Sequence, residues 1–159
     1  MSCGFARPGY PVFVLLGAAL AGSAWAAPAR ADDVRVTVIA IAASDRHPNV
    51  DPKLTELAKA VQKYLANLSG FRVERTTSKD LNVGPTESFD LGNSASADIT
   101  VIRKDDSKQR VSLKVRPPMM GEITYWTCYD KFFPIVTDVK VNGDRLVIAV
   151  MVQPVKDKK

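Results

Sequence analysis

The polar loop before the strongest helix signal holds the first side chains that could do chemistry. Oxygen ligands at alternate positions, closed by a glutamate at the twelfth, are typical of a calcium-binding loop. The residues that match this spacing are Asp45, His47, Asn49, Asp51 and Glu56. A calcium loop also needs glycine at its sixth position, where Val50 stands, and an entering helix instead of a strand. We therefore interpret the segment as a polar loop that ends in a helix cap at Asp51.

A cysteine and a histidine form the second candidate pair. His47 is the only histidine of the sequence, and Cys128 is the only cysteine beyond the amino-terminal region. A thiol beside an imidazole can act as a nucleophile in a small hydrolase or transferase. No nucleophile motif surrounds Cys128, and a cysteine between aromatic residues is more typical of packing. The dyad stays an alternative. Otherwise Cys128 is buried or paired with another molecule.

Motifs for other common reactions are absent from the sequence. It has no glycine-rich phosphate loop and no Gly-x-Ser-x-Gly elbow. It has four glutamates, and its aspartates lie mostly in predicted turns, so no carboxylate pair stands out for acid–base catalysis. We predict a non-enzymatic protein with no catalytic residue, no metal ion and no cofactor.

Aromatic side chains are concentrated in residues 125–134, where five fall within nine positions. In an extended chain, residues 125, 127 and 133 take one face, and residues 126 and 132 take the other. One set can enter the core, while the other offers flat rings to a protein partner or a sugar. The alternative is a strand buried on both faces. The predicted binding residues are Tyr125, Trp126, Tyr129, Lys131 and Phe132.

The elements that position these residues begin with an amphipathic helix predicted over residues 52–68. Asp51 can cap its start, and Pro52 suits the first helical position. Gly70 is placed to end the helix. Apolar side chains at helical spacing form one stripe: Leu54, Leu57, Ala58, Val61, Leu65 and Leu68.

Outside this helix the apolar period is two, which is typical of β-strands. Strands are predicted over residues 34–41, 71–77, 97–102, 111–115 and 146–152, with one or two more within 81–91. Residues 123–127 and 132–141 are interpreted as a hairpin. Asn142-Gly143 predicts a two-residue turn, and the nearly all-apolar last strand is expected to be central. The fold class is α+β. One helix packs on a mostly antiparallel sheet of about six to eight strands, which can curl or split into a sandwich.

The amino-terminal region has the features of a secretory signal peptide. Arg7 precedes an apolar stretch over residues 12–24, and small residues at Ala24 and Ala26 fit a cleavage site. A second site ends at Ala31. The sequence therefore predicts a signal peptide over residues 1–26 and a single exported β-rich domain over residues 27–159, periplasmic or secreted. Its polar lead-in ends with residues 32–33, and residues 153–159 form a charged tail.

The 159 residues carry a formal net charge of +5, with the cations dispersed along the chain. Export excludes ATP-dependent chemistry and most nucleic-acid roles, so we expect no nucleic-acid partner. No later segment approaches the length of a membrane span, so none is expected after cleavage. The leading hypothesis is a binding module for an unknown protein or envelope component. A structural subunit that self-associates through an exposed edge strand is a further alternative.

Residues 34–70 have a characteristic order: a strand ending in Ala42-Ala43-Ser44, a polar loop, then Val50-Asp51-Pro52-Lys53-Leu54 opening a helix. With the closing strand over residues 146–152, this order resembles small exported bacterial proteins of uncharacterised function. That resemblance implies no activity and transfers no site. A helix followed by antiparallel strands is also similar to cystatin-type folds. The Gln-x-Val-x-Gly loop of those inhibitors is absent, so no inhibitor site is transferred.

Overall fold

A computed structural model describes residues 33–155 of the chain. They form eight strands and one α-helix: β1 Val34–Ser44, α1 Thr55–Gln62, β2 Gly70–Leu81, β3 Thr86–Gly92, β4 Ala95–Asp105, β5 Arg110–Arg116, β6 Ile123–Cys128, β7 Phe132–Val141 and β8 Asp144–Pro154. The predicted signal peptide, both cleavage sites, the lead-in before Asp33 and residues 156–159 of the predicted tail lie outside the described residues.

The strands form two four-stranded sheets, and neighbouring strands within each sheet run antiparallel. Sheet A has the order β2-β1-β8-β7, and sheet B has the order β3-β4-β5-β6. The prediction of a mostly antiparallel α+β fold is confirmed at this level. The last strand, β8, is central as expected, because β1 and β7 flank it. The turn before it is also confirmed, with φ of 51° at Asn142 and 85° at Gly143.

The inner faces of the two sheets share one apolar core. From sheet A, alternate residues such as Val36 and Ile148 point inward, where they meet Phe89, Ile99 and Leu113 of sheet B. All five side chains have no measurable exposure. Strict alternation places the intervening residues on the outer faces, so the pattern of period two decides which side of each sheet is apolar.

The outer face of sheet A has a second, smaller core under α1. Leu57 and Val61 of the helix pack on Ile41 and Ala149 of the sheet. Helix, sheet A and sheet B therefore form three layers. Within residues 33–155, no helix is both long and apolar enough to cross a bilayer.

The helix predicted over residues 52–68 is much shorter in the structure. A 3-10 turn at Pro52–Leu54 precedes α1, which ends at Gln62. The predicted cap is confirmed, since the Asp51 carboxylate accepts a hydrogen bond of 3.0 Å from the Lys53 amide. Leu68 still packs in the second core, where its exposed fraction is 4%. The apolar stripe is therefore a correct prediction of burial but not of helix length.

The early end of the helix follows from where β2 must begin. The Ser69 amide donates to the Ser44 carbonyl at 2.8 Å, and Gly70 pairs with Ser44 at the end of β1. To reach that position, the chain leaves the helical path and turns. The Gln62 side-chain amide donates to the Leu68 carbonyl at 3.1 Å within this turn. Gly70 is thus the first residue of a strand and does not stop a helix.

The hairpin predicted over residues 123–141 is wrong. β6 pairs with β5 in sheet B, whereas β7 pairs with β8 in sheet A. Residues 129–131 cross between the sheets, where the Asp130 amide donates to the Val152 carbonyl at 2.9 Å. This crossing lets Tyr125 and Phe133 stack against each other from opposite sheets, with ring centroids 3.9 Å apart. A hairpin would put both rings on one sheet and lose that contact between the layers.

Candidate functional site

The two outer faces of the sandwich differ in how they are covered. Helix α1 lies over the outer face of sheet A. In the described part of the chain, no helix lies over the outer face of sheet B. Trp126 of β6 points outward from sheet B and is 43% exposed. An uncovered sheet face with a large exposed aromatic ring is the strongest candidate binding surface of the described residues.

Arginine and carboxylate groups organise the surroundings of Trp126. The guanidinium carbon of Arg110, on the neighbouring strand, lies 4.5 Å from the centroid of the indole ring. Arg110 Nε donates to Asp105 Oδ2 at 3.3 Å, which holds the guanidinium on the sheet. Hydrogen bonds to the Asp105 carboxylate, first from the Ser107 hydroxyl and also from Arg110, lower its pKa. The result is a flat surface that combines an aromatic ring with a held cation.

Charged side chains occupy further positions of this face. Arg103 and Trp126 flank Ser112 across three neighbouring strands. Arg103 is exposed and makes no ion pair with another described residue. Lys114 and Arg116 both face the Glu122 carboxylate, at 3.8 and 3.2 Å. The Glu122 carboxylate is thus shared by two cations, while Arg103 adds a further cation on the same face, separated from Trp126 by the intervening strand β5.

The two tyrosines among the predicted binding residues point into the protein. Tyr129 is 8% exposed, and its hydroxyl donates to Asp106 Oδ1 at 2.9 Å. Burial, together with this bond to a carboxylate, raises the pKa of Tyr129 to about 12. The Tyr125 hydroxyl is buried with no hydrogen-bond partner among the described residues, and burial raises the pKa of its phenol. Both rings pack against the core between the sheets and do not lie on the outer face with Trp126.

Because only one of these two hydroxyls makes a hydrogen bond, replacing each tyrosine by phenylalanine should have opposite effects on the free energy of unfolding. Tyr125→Phe removes a buried hydroxyl that makes no bond, so we expect the free energy of unfolding to rise by about 1 kcal/mol. Tyr129→Phe removes a bond to a carboxylate, so we expect a loss of about 1–2 kcal/mol. Urea denaturation of both variants measures the difference. Equal destabilisation of the two variants would show that the Tyr125 hydroxyl has a partner.

The remaining predicted binding residues lie elsewhere. Lys131 is exposed in the connection between the sheets, and Phe132 begins β7 in sheet A. Phe132 is 41% exposed and lines a cleft of about 320 Å³ with Ile39, Leu57 and Ala149, beside α1. Trp126 and Phe132 therefore lie on opposite outer faces of the sandwich. The five predicted residues do not form one surface, because the chain changes sheets between Cys128 and Phe132.

The structure does not bring His47 and Cys128 together. Cys128 is exposed and ends β6, two residues before Asp130 binds the Val152 carbonyl. Val152 pairs with Val36, near the start of β1, whereas His47 follows the far end of that strand. The eight residue steps from Val36 to Ser44 span roughly 26 Å of extended chain. An imidazole and a thiol at that separation cannot share a proton.

The loop that contains His47 borders a cleft of about 440 Å³ at the far end of sheet A, lined by both polar and apolar residues. Arg46 Nη2 lies 3.1 Å from Asp144 Oδ1, and this bond is the main cause that lowers the pKa of the Asp144 carboxyl. Within residues 33–155, no three histidine, cysteine or acidic side chains are grouped closely enough to hold a metal ion. Asp144, at the start of β8, serves the ion pair with Arg46, and Asp51 of the loop serves the cap.

Arg103 and Arg110 belong to the candidate site but were not among the binding residues predicted from the sequence. The alternation of β5 puts Arg110 on the outer face, but only the register between β5 and β6 places it over Trp126. Comparison of the chain with protein-family models, with curated proteins and with solved structures gives no match.

Proposed function

We propose that the chain is a non-enzymatic binding module of the cell envelope, exported by its amino-terminal signal. Its binding surface is the outer face of sheet B around Trp126. The observation that carries the proposal is the 43% exposed Trp126 ring, with Arg110 held over it, on the face that α1 does not cover. The exposed part of this ring offers a flat aromatic surface of the kind that suits contact with another molecule.

The chemistry of this surface favours a partner with both apolar and polar character. The indole gives contact area at low cost in side-chain entropy, because it has two rotatable bonds. Asp105 holds the Arg110 guanidinium, which reduces the ordering that binding would require. Arg103 adds a second cation on the same face. We therefore propose an envelope protein, or another envelope component with flat apolar groups and acceptor groups, as the partner.

We also propose that the chain does not act as an enzyme. His47 and Cys128 are the residues that the sequence offers for nucleophilic catalysis, and they lie at opposite ends of the sandwich, His47 after β1 of sheet A and Cys128 at the end of β6 of sheet B. The binding proposal needs neither of them. It needs only a rigid face, and the antiparallel register of β4, β5 and β6 supplies one.

The proposal predicts that Trp126→Ala removes most of the affinity for an isolated envelope fraction. A central tryptophan of an interface contributes at least about 2 kcal/mol, so the dissociation constant should rise roughly 30-fold or more. The fraction bound is measured by co-sedimentation at increasing amounts of envelope. The only other tryptophan of the sequence is Trp25, in the predicted signal peptide, so fluorescence of the exported chain reports on Trp126 directly.

The matched control is Tyr64→Ala. Tyr64 follows α1, on the sheet A side of the sandwich, and is 87% exposed, so it is an aromatic residue away from the proposed surface. We expect this variant to bind like the original protein. Equal binding by the Trp126→Ala variant, with its fold intact by circular dichroism, would exclude the outer face of sheet B as the binding surface.

A further inference from the structure

The sandwich leaves four strands with an unpaired edge: β2 and β7 in sheet A, and β3 and β6 in sheet B. Unpaired edges recruit other strands, so proteins usually protect them with charges, proline or a bulge. The four edge strands of the described sandwich differ in this protection.

Three of the four edges are protected. β2 alternates charges of both signs and includes the ion pair between Arg75 and Asp90, a residue of β3. β3 carries Glu87 as well as Asp90. β7 contains Pro134, and its pairing with β8 is irregular between Val136 and Lys140. Each of these features discourages a further strand from adding to the sheet.

β6 has none of these features. Its sequence is Ile-Thr-Tyr-Trp-Thr-Cys, without charge, proline or glycine, and its register with β5 is regular over all six residues. These residue types also have high β-propensity, apart from the cysteine. β6 is therefore the unprotected edge of the described sandwich.

The hydrogen bonds of β5 show which backbone groups of β6 point to the open side. The Tyr129 amide donates to the Gln109 carbonyl at 3.0 Å, just beyond the last paired residues, Arg110 and Cys128. Hydrogen-bonded and non-hydrogen-bonded pairs alternate along an antiparallel ladder. The odd-numbered residues of β6 therefore bond to β5. The N–H and C=O groups of Thr124, Trp126 and Cys128 point away from it, and no described backbone group bonds to them.

We propose that β6 pairs with β6 of a second copy of this chain, antiparallel and around a two-fold axis at Trp126. In this register Trp126 faces Trp126 of the partner subunit, and Thr124 faces Cys128 of the partner subunit. Each of the three outward residues of one copy then forms a hydrogen-bonded pair with an outward residue of the other copy. The three pairs give six new backbone hydrogen bonds. The other symmetric registers with the correct alternation leave at least one outward residue of β6 without a match inside the strand.

A second copy fits this edge better than an unrelated strand for a physical reason. The outward groups are spaced symmetrically about Trp126, so β6 is complementary to itself. The uncharged edge selects no oppositely charged partner. The pairing also places two indoles opposite each other on the outer face, where cross-strand aromatic pairs stabilise a sheet. The result is a continuous sheet of eight strands, formed from both copies of sheet B.

The first experiment measures oligomeric state against concentration by sedimentation velocity, for the purified protein and for Thr124→Pro. The Thr124 N–H points to the open side, so proline there removes no bond to β5 and is tolerated at an edge. We expect a reversible dimer for the original protein, and a dissociation constant raised at least about tenfold by Thr124→Pro. The matched control Thr124→Val keeps the N–H and should dimerise normally.

The second experiment tests the register of the two β6 strands, and it uses no proline substitution. In a Thr124→Cys variant, the new thiol should face Cys128 of the partner subunit at a Cα separation of roughly 5.5 Å, which suits a disulfide. We expect covalent dimers on mild oxidation, and none when Cys128→Ser is added to Thr124→Cys. Equal crosslinking of both variants, or of neither, overturns the register around Trp126.

Two results would overturn the pairing itself: a protein that stays monomeric at its highest soluble concentration, or a dimer unaffected by Thr124→Pro. This inference goes beyond the proposed binding function and can fail independently of it. Thr124→Pro leaves the Trp126 and Arg110 side chains in place. Loss of the dimer with binding to the envelope fraction retained would separate the two properties.

Discussion

Gly70→Ala is expected to destabilise the protein by at least about 3 kcal/mol and to displace the loop before the helix. A Cβ atom at position 70 would lie 2.0 Å from the His47 carbonyl oxygen and 3.1 Å from its carbonyl carbon. Both are backbone atoms, so a side-chain rotation cannot relieve the contact. The loop also cannot move freely, because the Phe71 amide donates to the Asn49 carbonyl at 2.9 Å.

Chemical denaturation of the Gly70→Ala variant measures this effect, and Gly121→Ala is its control. Gly121 has no atom within 4 Å of an added Cβ, and its φ is not positive. Alanine there should change the free energy of unfolding by less than about 1 kcal/mol, with a small gain from a less flexible unfolded chain. Similar stabilities of the two variants would mean that the loop at His47 does not pack on β2.

Phe89→Ala is expected to cost about 3–5 kcal/mol, a large part of the stability of an ordinary domain. Phe89 lies on the inner face of sheet B and has no measurable exposure. Its ring fills space between the two sheets, so alanine leaves a cavity there. The strands of each sheet are hydrogen-bonded to one another, so the sheets cannot move together to close it. Thermal and urea denaturation should both show the loss.

Phe132→Ala provides the comparison for this core substitution. Phe132 is the same residue type but is 41% exposed on the outer face of sheet A. We expect its truncation to cost less than about 1 kcal/mol. If both phenylalanine variants lost equal stability, the two sheets would not share the core that the structure shows.

The separation between core and outer face also makes the binding and pairing experiments interpretable. Trp126 and Thr124 point outward from β6, whereas Tyr125 and Thr127 point inward. Substitutions at the outward positions should therefore change partner contacts with little effect on folding. Inward substitutions should change stability first, since they alter the packing between the sheets.

Local signals predicted a large part of the fold. The alternation in β1, the apolar run in β8 and the Asn142-Gly143 turn were sufficient because each depends on neighbouring residues. The Asp51 cap is of the same kind, since the carboxylate bonds to an amide two residues away. Such interactions are determined within a few residues of chain, where spacing in sequence is also spacing in space.

Local signals do not predict how the residues of the candidate site are brought together. Period two correctly separates residues 125, 127 and 133 from residues 126 and 132. It cannot show that Trp126 and Phe132 belong to different sheets. The assumption of a hairpin failed because two consecutive strands can pair with each other or with strands distant in sequence. In the structure β6 and β7 pair with β5 and β8, and Tyr125 stacks on Phe133 between the layers.

The sequence by itself determined the strand periodicity, the Asp51 cap, the Asn142-Gly143 turn and which residues of a strand share a face, because each is a property of adjacent positions. Tertiary structure alone decided three other features. The end of α1 was set by the pairing of Gly70 with Ser44, and the Arg110–Trp126 contact was set by the register of β5 and β6. The open edge of β6 followed from sheet order. These features depend on contacts between segments far apart in the chain. Such contacts stabilise the protein only once the layers have assembled.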